Sequence, residues 1–229
     1  MTSMFQYVSD EVGIVPVIER VLARWDEVVR PSKRCKPYRI ALHISTQPLE
    51  KNVLASTLVT KFLYLNEHTF GNTFPMVGAI VLNTMYLYGN LKEEQLYAVL
   101  LHEVGHVLGI GTVWNLPESP VTLYQEDNKD KYYYTGTAGL REYKSYYPTS
   151  DLVGIPLEDD GGEGTEDSHP EEDMVRVIEG KPHPGLKEEL MTGWINSLVS
   201  LSRITLGFLE DIGYIVDYSK ADPYSSSSI

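Results

Sequence analysis

His102 and His106 stand four residues apart, Glu103 follows the first of them, and Gly109 comes three residues after the second. On an α-helix, residues four apart lie one turn apart on the same face, so the two imidazoles can present nitrogens to a single metal ion. Glu103 sits beside them, within reach of a water on that ion. Two nitrogen ligands and a carboxylate base are the local arrangement of a zinc hydrolase. A core helix carrying the two histidines for packing alone would bury Glu103 without a partner, and a metal is the simplest partner for such a group.

The chemistry needs a rigid helix, and the flanking residues predict one. Leu91 to Leu101 is a good helix former with apolar residues at helical spacing, and Glu93 and Glu94 suit the positive end of its dipole. Asn90, after Gly89, is the candidate N-cap. Leu100, Val104, Val107 and Leu108 anchor the helix in the core. Gly109 and Gly111 end it, since glycine accepts the left-handed conformation of a helix C-terminus.

Other elements frame this helix. Residues 10–30 carry an amphipathic stripe of Val12, Val15, Ile18, Val21, Leu22, Trp25 and Val28, closed by Pro31. Residues 38–44 alternate as a strand, 58–65 read as a second strand or as a helix, and 76–83 as a third strand directly before the metal helix. That order predicts an α+β chain with an N-terminal twisted mixed sheet and two helices. Met76–Leu82 is expected at the sheet edge, where Gly78 and Ala79 would let an extended peptide substrate approach and pair. From Trp114 to about Gly185 the chain is rich in Gly, Pro, Tyr and acid and reads as irregular. A helix is expected over 198–212. The expected division is an N-terminal lobe over 1–111 and a C-terminal lobe over 112–229, forming one catalytic domain overall.

A catalytic zinc takes three protein ligands and keeps a fourth position for water. The candidates for the third are His169 and His183 downstream, His43 and His68 upstream, and a carboxylate such as Glu166. His169 follows a glycine-rich approach from Gly161 that could fold back beneath the helix. The acidic stretch from Glu158 to Asp173 is either a solvated loop, with Asp167 near the zinc, or a group of oxygen ligands suited to Ca2+.

Composition removes several classes. A formal net charge of −13 over 229 residues, with no dense basic face, argues against nucleic-acid binding. No apolar run is long enough for a membrane span, and the N-terminus lacks a basic-then-apolar signal segment. With one cysteine there is no intramolecular disulfide, and the expected setting is cytoplasmic or signal-less release. Cys35, flanked by Arg34 and Lys36, reads either as an ordinary cysteine or as a latency thiol favoured as thiolate by its basic neighbours.

The order of several short blocks adds a family resemblance. His102–Gly109 with Gly111-Thr112-Val113-Trp114, then 164–169, 189–193, 202–205 and 209–214, resemble the leishmanolysin-type metzincin peptidases. Compact metzincins place a third histidine where this chain has Thr112, whereas the leishmanolysin type carries a long insertion there. The resemblance implies a metzincin-like zinc endopeptidase with His102, His106 and His169 as ligands, Glu103 as general base and Met191 in the Met-turn. It further implies a mostly parallel sheet above the zinc, a largely irregular C-terminal lobe ending in a helix, and a pocket wall at 192–200. Two rivals remain: a carboxylate-ligated peptidase, and a catalytically silent structural or binding protein that retains the fold.

Overall fold

The computed structural model describes residues 3–88, 91–126, 129–148, 153–159, 162, 164–172, 175–178, 181–194 and 199–224. Its N-terminal part carries β1 (Phe5–Ser9), α1 (Val15–Val28), β2 (Val29–Arg30), β3 (Ile40–Gln47), β4 (Ala55–Tyr64), β5 (Thr73–Asn83), the single turn α2 (Thr84–Leu87) and α3 (Glu93–Val107). The C-terminal part carries β6 (Val121–Glu126), β7 (Lys129–Tyr134), α4 (Thr137–Tyr146), β8 (Ile155–Pro156), β9 (Val175–Ile178), β10 (Lys181–Pro184), α5 (Arg203–Ile212) and β11 (Ile215–Val216). The expected mixed α+β architecture is present.

The main sheet runs β1-β3-β5-β4, with the first three parallel and β4 antiparallel. This corrects the expected edge. Gly78 pairs with Leu42 of β3 on one side and Val59 of β4 on the other, and Ala79 pairs with His43 and Leu58. Both ladders of β5 are occupied there, so no peptide can add to it. Gly78 serves packing instead: a Cβ there would lie 2.7 Å from Val107 of α3. The outer strand on that side is β4.

Helices α1 and α3 pack together, and the Trp25 indole N–H donates to the carbonyl of Leu101 at 3.1 Å. Pro16 lies in the first turn of α1, where its missing N–H costs nothing. Helix α3 starts at Glu93 with Lys92 as N-cap, whose N–H donates to the Gln95 side chain at 3.0 Å. Gly89 and Asn90, the expected cap region, lie outside the described residues.

The C-terminal part is more regular than the sequence predicts. β6, β7 and β8 form a three-stranded antiparallel sheet, β9 and β10 pair, and α4 packs against α5. The two helices touch backbone to backbone: a Cβ on Gly207 would lie 2.7 Å from Gly139 Cα. The Asp211 carboxylate of α5 accepts from the N–H groups of Ala138 and Gly139, each at 2.9 Å, and caps the start of α4. Helix α5 begins five residues later than expected, at a Ser202 cap whose side chain accepts from Ile204 N, and ends at Gly213 with φ 113°. β11 then pairs with β2, so both parts of the chain share one hydrophobic core.

Candidate metal centre

Helix α3 carries His102, Glu103 and His106, all buried; the two histidines meet the C-terminal part, and Glu103 meets Thr57 of β4. The helix ends at Gly109 and Gly111, with φ of 118° and 74°. Gly111 is needed for a second reason. A Cβ there would lie 2.4 Å from the backbone oxygen of Ser168. That close approach docks the loop carrying His169 on the end of the metal helix. Thr112 closes the same end, its hydroxyl donating to the His106 carbonyl at 2.8 Å.

The loop is held from its other side as well. Leu157 and Pro170 form an antiparallel bridge, and the Glu158 N–H donates to the His169 carbonyl at 2.9 Å. The result is a trio of histidines. The Nε2 atoms of His102 and His106 lie 2.9 Å apart, those of His106 and His169 2.9 Å, and those of His102 and His169 3.2 Å.

The outer nitrogens explain why these rings face inward. Nδ1 of His102 lies 2.7 Å from the Leu190 carbonyl, Nδ1 of His106 2.8 Å from Ile110, and Nδ1 of His169 2.8 Å from Thr165. A carbonyl oxygen only accepts, so each Nδ1 bears the proton and each Nε2 keeps its lone pair. Three lone pairs converge with no hydrogen between them, which is unfavourable unless an electron-pair acceptor sits among them. A tetrahedral ion about 2.0–2.1 Å from each nitrogen sets them roughly 3.3–3.4 Å apart, close to the spacings found. The donor set fits zinc.

Burial also readies the ligands. It pulls the His102 and His106 imidazoles down to about 4, the second helped by neighbouring His102, and takes His169 well below the ordinary value. All three are therefore neutral at pH 7, the form that binds metal. Burial pushes the Glu103 carboxyl upward, opposed by His106 and by a hydrogen bond from the Thr57 hydroxyl of β4.

Met191 is fully buried directly beneath the helix. A Cβ on Gly105 would lie 2.4 Å from its sulfur, so the glycine between the histidines is what admits the thioether. The loop is fixed by Glu189, whose carboxylate accepts from Met191 N at 2.7 Å, Ser202 Oγ at 2.8 Å and Thr205 Oγ1 at 2.5 Å.

The structure thus brings together His102, Glu103, His106, His169 and Met191. His183 lies in β10, paired with Arg176. His43 is exposed on β3 beside Asp10, and His68 stacks on Tyr64. Cys35 is not among the grouped ligands; burial raises its thiol against the opposing pull of Arg34, which corrects the expectation of a favoured thiolate. Of the expected pocket wall, residues 195–198 lie outside the described residues. Carboxylate oxygens of Glu158, Glu171 and Glu172 lie within 4.8 Å of one another, brought there by the Leu157–Pro170 bridge. That proximity alone does not support calcium, and Asp173 lies outside the described residues. Sequence reasoning gave no role to Thr57 or Glu189. Nothing local in the sequence marks either, since their side-chain partners lie 46 and 13–16 residues away.

Positions 38–225 match the family model described as leishmanolysin, peptidase M8. A leishmanolysin-like peptidase of Drosophila pseudoobscura pseudoobscura is 39% identical over 87 residues, 38% of this chain and 11% of that protein. One of Drosophila melanogaster is 38% identical over 85 residues, 37% of this chain and 11% of its own length. The matched stretch is therefore a small part of each relative.

Proposed function

The chain belongs to the leishmanolysin family, and on that footing we propose that it is a zinc-dependent endopeptidase with Glu103 as general base. The convergence of three unprotonated Nε2 atoms beside a buried carboxylate is the observation that carries this reading.

His102, His106 and His169 would hold zinc, which when bound would supply Lewis acidity to a water and to the scissile carbonyl. Glu103 accepts the proton of the attacking water and delivers it to the leaving amine. Its carboxylate lies on the same helix as two ligands, so base and ligands share one rigid frame. The three backbone carbonyls behind the imidazoles hold each ring in its tautomer. Met191 packs beneath them, an adaptable apolar floor that does not compete for the proton.

The substrate is an extended peptide that pairs with β4, the outer strand of the sheet beside Glu103. Segments 1–111 and 112–229 form the two walls of one catalytic domain, with the metal between them. A purely structural zinc site needs no Glu103, which disfavours a silent scaffold.

The test is mass-spectrometric mapping of cuts in a diverse peptide library, with Glu103→Ala run in parallel. Cuts by the wild type alone, with zinc retained in both proteins, are expected. No cuts from zinc-loaded wild type, or equal cutting by Glu103→Ala, would overturn the reading.

A further inference from the structure

We propose that Thr57 is a positioning residue for Glu103: its hydroxyl, on the outer strand of the sheet, fixes the carboxylate that acts on the water. This rests on the peptidase reading and names a residue that reading does not require.

The geometry is direct. Thr57 Oγ1 lies 2.5 Å from Glu103 Oε2 and 3.3 Å from the backbone oxygen of the same residue. A hydroxyl has one proton to donate, and the shorter contact to the charged acceptor takes it. Among the described residues, Oε2 is thereby occupied, and Oε1 is the oxygen left for the attacking water.

The tether is itself fixed. Thr57 stands opposite Ile80 in the β4–β5 ladder, and opposite residues share a face of the sheet. Ile80 is wholly buried, and Gly78, two residues before it on the same face, packs on Val107 of α3. Thr57 thus points at α3 because the strand register puts it there. The β-branched side chain adds stiffness at χ1, which a flexible donor would lack.

The arrangement has a consequence for the reaction. An extended peptide paired with β4 has its backbone held by the strand that also holds the base. Scissile bond and carboxylate then move as one frame, and a misplacement of about 1 Å in such a frame costs on the order of 100-fold in rate.

The experiment compares Thr57→Val, Thr57→Ser and Thr57→Ala with wild type and Glu103→Ala in the zinc-loaded protein. A cleavable peptide gives kcat and KM separately; zinc content and melting temperature are read alongside. Thr57→Val, which keeps shape and loses the hydroxyl, is expected to lower kcat by roughly 10–100-fold with KM and zinc content unchanged. Thr57→Ser, which keeps the hydroxyl, is expected to restore kcat to within a few-fold of wild type. Wild-type kcat in Thr57→Val, with cutting still dependent on Glu103, overturns this inference alone. If Thr57→Val misfolds or loses zinc, Thr57→Ser and Thr57→Ala decide: no advantage of serine over alanine overturns it. Cutting that is absent or independent of Glu103 overturns the peptidase reading and this inference with it.

Discussion

The Nδ1 nitrogen of His102 lies 2.7 Å from the carbonyl oxygen of Leu190, the residue before Met191. The loop beneath the metal helix therefore touches it twice, through this polar contact and through the Met191 thioether under Gly105. Ligand orientation and loop position are one structural problem, and substitutions in either element should disturb both.

Gly105→Ala is the sharpest case. In an exposed helix interior, replacing glycine by alanine stabilises by about 0.8–1.0 kcal/mol. Here the new Cβ would lie 2.4 Å from the Met191 sulfur and 2.9 Å from its terminal carbon, so Met191 must shift. Overpacking of this kind costs about 1–3 kcal/mol, and the net sign is expected to be destabilising. Urea denaturation of the two proteins checks it. A Gly105→Ala protein more stable than wild type would mean that the loop yields freely and that the glycine is not needed for packing.

Glu189 should matter for the same loop from below. Its wholly buried carboxylate accepts from Met191 N, Ser202 Oγ and Thr205 Oγ1. Truncation to alanine leaves these buried donors without that acceptor, and each such loss costs about 1–3 kcal/mol. Glu189→Ala is expected to lose about 3 kcal/mol or more, and Glu189→Gln, which keeps one acceptor oxygen, clearly less. Equal stability of the two variants would show that the carboxylate does not organise the loop.

For the third ligand, His169→Ala should weaken zinc binding by more than the roughly 10–100-fold typical of losing an outer hydrogen-bond partner. His183→Ala should leave it unchanged. Competition with a chromophoric chelator reads both. Zinc retained at wild-type affinity after His169→Ala would favour a carboxylate ligand and overturn the three-histidine centre.

The metal helix was legible because its signals are local. Glu93 and Glu94 at its start, a 3.6-residue apolar period and two glycines at its end all fall within about one element. Helix α5 was legible for the same reason, although it starts later than its apolar pattern suggests, whereas the residues of β4 fitted a strand or a helix locally. Helix α4 was not, because its buried face is Ala138, Gly139, Glu142 and Tyr143, and none of these forms an aliphatic stripe. That face packs closely on α5 because Gly207 lets the backbones meet. The sheet edge was misread because strand order is nonlocal: β3 pairs with β5 across the intervening β4, which then takes the outer place. Thr57 was invisible for a similar reason, since its partner lies 46 residues away. His169 lies 63 residues from His106, and among the histidines its spacing alone left alternatives open.

The pH response of the metal-free protein follows from the buried imidazoles. His102 and His106 titrate at about 4 in the folded chain, and His169 lies well below its ordinary value. In the unfolded chain each returns to about 6.5. As pH falls through about 6.5, the unfolded chain takes up protons that the folded chain refuses, so folding loses stability. The stability tied to neutral imidazoles is thus fully present above about pH 6.5 and declines toward about pH 4, at no more than roughly 1.4 kcal/mol per pH unit for each histidine. Melting temperatures of the chelator-treated protein should fall between pH 7 and 5, and His169→Gln, with one fewer titrating ring, should show a shallower fall. An equal slope in both proteins would mean that acid sensitivity arises elsewhere and that His169 does not share the buried, neutral state of the trio.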